Sequence, residues 1–465
     1  MRIAIVTHSA RMAGGVESYL DAVIPMLEAA GHQISLLCET NSPSNARAIS
    51  RGADAPVWCV AELGGELAFE SLRQWRPVVV YSHGLADDEL EARALTLALS
   101  IVFAHDYRAI CISGSKTLSF PGSTPCVRRF GAGCVANFYP RRCGGLSPLT
   151  MLSDCRGASR RLAMLRSARA VIVASEYVRG EFLRNGLSPE TVHCVGLPIV
   201  DRGVSPATIN LAADLQEISP LRLVFAGRME SLKGGQIFLE ALPAIGSALA
   251  RPVVATFAGD GRARATWARR ADEIVRNQPQ RFESTRPADE IGRSEPQPFE
   301  SMRRAGEIVR SQPQLRIEFT GWMDSAALDS LFDSSDLLVL PSLWPEPFGL
   351  VGPEAGIRGL PAAAFATGGI PEWLSDGVNG AFARGLSSAR SLADAVVRCL
   401  RDPVEHLRLR RGAIEQAQRF SPERHLNALM KVIDLVRPIE LVRPGALEPR
   451  IVISGSGQLR TDRSD

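Results

Sequence analysis

The 465-residue sequence carries little net charge, no long apolar run and no close cysteine pair. A formal net charge of only +3, from 53 basic and 50 acidic residues, gives no overall electrostatic case for a nucleic-acid partner. No stretch approaches the roughly 18 uninterrupted apolar residues of a spanning helix. Met1 leads straight into Arg2-Ile3-Ala4-Ile5-Val6, which reads as a buried strand and not as a signal peptide. Nine cysteines are an odd number, and without a leader they point to a reducing cytoplasm and not to a disulfide framework. What is there is 45% hydrophobic and 22% charged, enough for sizeable cores in two or three domains. The expectation is a cytoplasmic α/β enzyme, with peripheral contact at the inner face of a membrane left open.

Short apolar runs alternate with helical periodicity along the chain. Arg2–Thr7 reads as a strand, Met12-Ala13-Gly14-Gly15-Val16 as a glycine loop, and Glu17–Ala30 as a helix closed by Gly31. Gln33–Cys38, Pro77–Tyr81, Leu99–Ala104, Ala109–Ile112, Ala170–Ala174 and Thr191–Val195 are further strand candidates. A second set of strands comprises Arg222–Ala226, Val253–Ala258, Arg316–Thr320, Leu337–Leu340 and Pro361–Phe365. Helices Gly235–Ala250, Ser325–Asp333, Leu392–Arg401, Arg408–Arg419 and Pro422–Leu435 alternate with them or follow them. Such alternation predicts parallel sheets covered on both faces, here in two doubly wound halves with a cleft between. The predicted boundaries are 1–200 for the first domain, 201–220 for a polar linker and 221–420 for the second. A crossing helix and tail at 421–444 and a disordered tail at 445–465 complete the chain.

Residues 271–321 hold a tandem duplication. Ala271-Asp272-Glu273-Ile274-Val275-Arg276-Asn277-Gln278-Pro279-Gln280 recurs at 288–297 and again at 305–314, a period of 17 residues. That period is too short for the common solenoid units, so an exposed polar expansion is expected.

The chemistry concentrates in Pro341-Ser342-Leu343-Trp344-Pro345-Glu346-Pro347-Phe348-Gly349 and the run on to Glu354. A short strand, a Pro/Gly turn and a helix opened by Gly349 place two carboxylates, Glu346 and Glu354, where α/β proteins hold nucleotides. Helix-start N–H groups favour phosphate, and carboxylates beside them accept hydrogen bonds from sugar and ribose hydroxyls. Upstream, Gly227-Arg228-Met229-Glu230-Ser231-Leu232-Lys233-Gly234-Gly235 follows a strand and precedes a helix. Two cations five residues apart on a glycine-bearing loop can clamp a diphosphate. Solvated surface charges are the plain alternative.

These pieces, with Gly259-Asp260-Gly261, Phe319-Thr320-Gly321-Trp322, Gly368-Gly369-Ile370-Pro371-Glu372 and Asp376-Gly377-Val378-Asn379-Gly380, resemble the retaining glycosyltransferases of family 4, the group 1 glycosyl transferases. The resemblance covers about residues 220–435 in the family's order. It implies a GT-B fold, with two Rossmann-like domains facing a cleft and a C-terminal helix returning to the first domain. It implies that Arg228 and Lys233 bind the donor diphosphate and that Glu346 lies near the donor sugar. Phe348, Gly349 and Leu350 fall at the phosphates, and Glu354 at the ribose. Gly14-Gly15-Val16-Glu17 resembles the N-terminal glycine loop facing the donor, where glycines let backbone amides approach an anion. His105, after the strand Leu99–Ala104, resembles the active-site histidine; His83 in Tyr81-Ser82-His83-Gly84 is its rival, and a structural role is open to both.

The implied reaction is transfer of a sugar from a nucleotide-diphosphate sugar to a glycan or lipid-linked acceptor, with retention at the anomeric carbon. No cofactor is expected beyond that co-substrate. No Asp-x-Asp stands at a strand end, so no obligatory metal is expected either. A sugar-nucleotide epimerase and a non-catalytic sugar-nucleotide or glycan-binding protein are the competing readings. Cys111, Cys126, Cys134, Cys143 and Cys155 accompany many arginines in a Gly/Pro-rich stretch read as an acceptor-side loop. Their wide spacing favours free thiols over zinc.

Overall fold

The computed structural model describes residues 1–12, 14–42, 46–200, 220–277 and 315–437. The predicted linker (residue 220 excepted), the repeats beyond residue 277 and the tail after residue 437 lie outside these.

Seven strands build the first sheet: β1 (Arg2–Ser9), β2 (Gln33–Thr40), β3 (Val57–Cys59), β4 (Val79–Ser82), β5 (Leu99–Phe103), β8 (Ala170–Val173) and β9 (Val192–Cys194). Their order is β3-β2-β1-β4-β5-β8-β9, all parallel. A small antiparallel hairpin, β6 (Thr117–Leu118) and β7 (Thr124–Pro125), stands apart. The second sheet orders β10 (Leu221–Ala226), β11 (Val253–Ala258), β12 (Leu315–Gly321), β13 (Leu337–Leu340), β14 (Ala362–Ala364) and β15 (Gly380–Phe382) as β12-β11-β10-β13-β14-β15. Runs such as Ile3–Val6 and Leu337–Leu340 are buried throughout, as strands covered on both faces must be.

Both sheets therefore reverse their strand order at one place, between β1 and β4 and between β10 and β13. In doubly wound sheets the crevice at that reversal, outside the carboxyl ends of the strands, is where ligands are held.

Helix Pro422–Val436 leaves the second domain and packs against helix Gly15–Ala29 of the first. His425 secures the return: its Nε2 lies 3.0 Å from the Tyr19 hydroxyl and its Nδ1 2.7 Å from the Gly196 carbonyl. One apolar core runs from Ile3 and Tyr19 through Leu429 and Ile433 to Phe348 and Ala355.

Three local expectations are corrected. Ala109–Ile112 is not a strand but a pair of turns, closed by the Ile110 amide on the Tyr107 carbonyl and the Gly114 amide on Cys111. Four apolar residues fill the core equally well from a turn, since Ala109 and Ile110 are buried all the same. The stretch read as one acceptor-side loop contains the hairpin, helix Ala132–Asn137 and the start of helix Pro148–Ser167. That last helix begins where Ser147 caps the Thr150 amide and Pro148 takes the first turn. The edge strands β3 and β15, three residues each, were not expected because so short a run has no periodicity to read.

Candidate active site

The loop leaving β10 turns at Gly227 and tightens into a 3-10 turn at Ser231–Lys233. Gly234 ends it with φ +73°, and a Cβ there would sit 1.8 Å from the Pro341 carbonyl oxygen. Only glycine lets the two loops meet so closely. The Leu232 carbonyl accepts from the amides of Leu343 and Trp344 at 2.8 and 3.1 Å, so the loops after β10 and β13 are stitched along their backbones.

This contact delivers Lys233 to Glu346. Nζ donates to both carboxylate oxygens, at 2.7 and 2.9 Å, and lies 4.7 Å from the centroid of the Trp344 ring. Glu346 is 4% exposed. A buried carboxylate needs such a partner, and an ammonium with two of its three N–H groups so engaged keeps one for another anion. Arg228, on the same loop, is exposed and forms no ion pair with any described residue. Lys233 is thus anchored, and Arg228 is not.

The Pro/Gly turn that carries Glu346 is held from two sides. From its own domain, the Gly369 amide donates to the Glu346 carbonyl at 2.6 Å. The Trp373 indole donates to the Phe348 carbonyl at 2.8 Å. From the other domain, the Tyr107 hydroxyl donates to the Pro345 carbonyl at 2.8 Å and the Ser175 hydroxyl to the Pro347 carbonyl at 2.6 Å. Gly349 adopts φ +81° and Leu350 starts helix Val351–Ile357, where Glu354 sits half-buried in the first turn. The Phe348 ring packs in the core against Phe420, centroids 5.1 Å apart, so Phe348 offers a ligand only its backbone.

On the first domain, Gly14 and Gly15 are exposed at the start of helix Gly15–Ala29, at the β1 side of that sheet's reversal. A Cβ on Gly15 would meet no protein atom within 4 Å. Packing therefore does not demand glycine there.

His83 and His105, rivals in the sequence, form a pair. They follow the adjacent strands β4 and β5, and His83 Nδ1 lies 2.8 Å from His105 Nε2. His83 is buried and its Nε2 has no partner among the described residues, whereas His105 is half-buried and stacks on Phe103 with centroids 4.2 Å apart. If His105 were the donor, His83 would carry a buried, unpaired N–H. With His83 donating, only a bare acceptor is left, which is the cheaper arrangement. His105 then keeps its proton on Nδ1 and presents a neutral donor. Burial lowers the His105 pKa to about 4 and drives that of His83 well below the ordinary histidine value.

The sequence reading missed Trp344 as the face over Lys233, although it stands two residues before Glu346. It also missed Tyr19 and His425, whose stretches read only as helices. The cysteines are free thiols, and among the described residues no three His, Cys, Asp or Glu side chains cluster to hold a metal. Some arginines of that stretch are structural: Arg161 binds Asp88 at 2.6 Å and Glu91 at 3.1 Å, and Arg166 the Asn185 carbonyl at 2.9 Å.

Fold and site together define a two-domain α/β protein of the GT-B type. Residues 311–420 match the family model Glycosyl transferases group 1. A 64-residue segment is 41% identical to a 41.2 kDa protein in the cps region of Klebsiella pneumoniae, covering 14% of this chain and 18% of that protein. A 94-residue segment is 35% identical to D-inositol 3-phosphate glycosyltransferase of Corynebacterium aurimucosum, covering 20% of this chain and 22% of that protein. These matches span about a fifth of each relative's length. Among solved structures, the fold is similar to Anabaena HepE in complex with UDP and glucose, with TM-score 0.59, 18% identity, and 94% of this chain and 100% of that chain covered. It is also similar to sucrose-phosphate synthase from Thermosynechococcus elongatus, with TM-score 0.58, 18% identity, and 93% and 98% covered. WaaG, a glycosyltransferase involved in lipopolysaccharide biosynthesis, gives TM-score 0.57 at 15% identity, with 92% and 99% covered.

Proposed function

We propose that this protein is a retaining glycosyltransferase. It takes a hexosyl group from a nucleoside-diphosphate sugar and passes it to a glycan or lipid-linked acceptor in cell-envelope polysaccharide or lipopolysaccharide synthesis. The observation that carries the reading is the Lys233–Glu346 contact at the strand-order reversal of the second sheet, with Arg228 on the same loop and in no ion pair with a described residue. The group 1 match over 311–420 supports it, as do neighbours solved with UDP and with UDP-glucose.

In this reading Arg228 and the remaining N–H of Lys233 hold the diphosphate. The backbone at Phe348, Gly349 and Leu350 lies along its oxygens, and Glu354 accepts from the ribose hydroxyls. Glu346 lies at the donor sugar. Gly14 and Gly15 approach the phosphates from across the cleft, and His105 donates from Nδ1 to a sugar hydroxyl. The bond from the anomeric carbon to the leaving diphosphate breaks while the acceptor oxygen bonds on the same face. A diphosphate oxygen takes the acceptor's proton. Negative charge grows on the leaving group, so fixed cations there stabilise the transition state more than the ground state. In this reading Glu346 is not a conventional nucleophile: both its oxygens accept from Lys233, and its part is to hold that cation.

The test is incubation of the full chain with sugar nucleotides and candidate acceptors, followed by NMR of the products. A new glycoside with the donor's anomeric configuration supports the proposal. An isomerised sugar nucleotide with no acceptor product indicates the epimerase, and binding without turnover on any acceptor indicates a non-catalytic binder.

A further inference from the structure

Six of the sixteen exposed large hydrophobic side chains among the described residues fall within residues 120–152: Phe120, Val127, Tyr139, Leu146, Leu149 and Leu152. Single exposed apolar residues are ordinary; a concentration of them marks an interaction surface. Leu146 and Leu149 stand 87% and 80% exposed.

The helix Pro148–Ser167 explains the arrangement. Met151, Ala158, Leu162 and Leu165 point into the domain. Leu149, Leu152 and Arg156, spaced by three and four residues, lie on the opposite side of the same helix, all exposed. A small core of Ile112, Phe138 and Met151, fringed by Cys134 and Cys143, ties the helix start to helix Ala132–Asn137. The hairpin joins them, since the amides of Ser119 and Phe120 donate to the Arg141 carbonyl at 3.0 and 3.1 Å. The Arg142 guanidinium lies over the Phe120 ring, 5.3 Å from its centroid. The apolar side chains thus sit on one packed unit.

Positive charge is concentrated in the same stretch of chain. Between residues 117 and 160 the sequence has six arginines and one acidic residue, Asp154. Arg160 is engaged by Asp88 and Glu89, each at 3.5 Å. Arg128, Arg129, Arg142 and Arg156 are exposed and form no ion pair with any described residue.

We propose that this face docks on an anionic lipid bilayer. Leu146, Leu149, Leu152 and Phe120 enter the boundary between headgroups and acyl chains, and the flanking arginines bind lipid phosphates. Exposed leucines among cations that form no ion pair with a described residue match a plane that is negative at its surface and apolar beneath. A second copy of the chain fits worse, because a two-fold contact would set arginines against arginines. No helix among the described residues is long and apolar enough to cross a membrane, so the contact is at the surface. The proposal deepens the functional reading by bringing the cleft to lipid-linked acceptors, but it uses no residue of the donor site.

The test is co-sedimentation of the full chain with vesicles of phosphatidylcholine alone or with phosphatidylglycerol added. The expected result is binding only to the mixed vesicles, weakening tenfold or more between 50 and about 300 mM salt. Leu146→Asp with Leu149→Asp, and separately Arg128→Glu with Arg142→Glu, should each reduce it at least tenfold. Sugar-nucleotide binding in solution serves as the fold control and should be retained in both pairs. Equal binding to both vesicle types, no binding, or binding unchanged in the leucine pair would overturn the proposal. So would a dimer that the leucine pair converts to monomer without change in vesicle binding.

Discussion

Lys233 and Glu346, 113 residues apart in the chain, meet with the ammonium between both carboxylate oxygens at 2.7 and 2.9 Å. The contact exists because glycine at 234 lets one loop lie on the Pro341 carbonyl of the next. It fixes a cation at the mouth of the second sheet and leaves that cation one donor for a ligand.

Lys233→Ala therefore acts twice. It leaves a buried carboxylate uncompensated, at a cost of about 1–3 kcal/mol, read as a lower denaturation midpoint. It also removes the diphosphate contact proposed for Lys233, so donor affinity should fall at least tenfold. In Glu346→Gln the neutral amide needs no cation, so the stability loss should be smaller while turnover still drops. Calorimetry and steady-state kinetics on both variants separate the two effects.

Arg228→Ala should behave differently. Its side chain is exposed, so stability should stay within about 0.5 kcal/mol of the parent. Donor binding should fall tenfold or more, and the loss should be greater for a nucleoside diphosphate than for the monophosphate. Equal losses for both nucleotides would remove Arg228 from the phosphates.

Glu354→Ala tests the ribose assignment. Loss of a charged hydrogen-bond acceptor is worth about 1.5–3 kcal/mol, so affinity for a ribonucleotide donor should fall about tenfold or more. A 2′,3′-dideoxy donor should discriminate little between parent and variant.

Gly234→Ala would force a Cβ to within 1.8 Å of the Pro341 oxygen at φ +73°. The loops must separate, so this variant should lose stability and reproduce the donor-binding defect of Lys233→Ala. A fully stable Gly234→Ala with normal donor affinity would contradict the described packing.

Acid should loosen the return of the C-terminal helix. Burial lowers the His425 pKa from 6.5 to about 4, so the folded state keeps the imidazole neutral. The unfolded chain takes up a proton first as pH falls, so the stability linked to His425 is complete above about 6.5 and is lost as pH drops towards 4, some 3 kcal/mol in all. His105 shifts the same way. The melting temperature should therefore decline between these pH values, and His425→Gln should make the decline shallower.

Much of this was legible in the residues. Two alternating sets of apolar runs gave the two parallel sheets, and the glycine loops at 227–235 and 341–354 gave the second domain's candidate residues. Distance in the chain hid the rest. Nothing in sequence says that Lys233 meets Glu346, or that the rivals His83 and His105 are one hydrogen-bonded pair. Such facts depend on which strands become neighbours, here β10 with β13 and β4 with β5. The family resemblance placed Phe348 at the phosphates together with Gly349 and Leu350; its ring faces the core because Phe420 comes to meet it. The Gly/Pro-rich stretch concealed a helix whose only signal was Ser147-Pro148.

The most direct measurement is thermal unfolding of the parent, Lys233→Ala and Glu354→Ala across a panel of sugar nucleotides. A ligand that binds only the folded state raises the melting temperature according to its affinity. The expected result is a clear rise for at least one sugar nucleotide with the parent, reduced sharply in both variants. No rise with any sugar nucleotide, or an equal rise in all three proteins, would contradict a donor site built on Lys233 and Glu354.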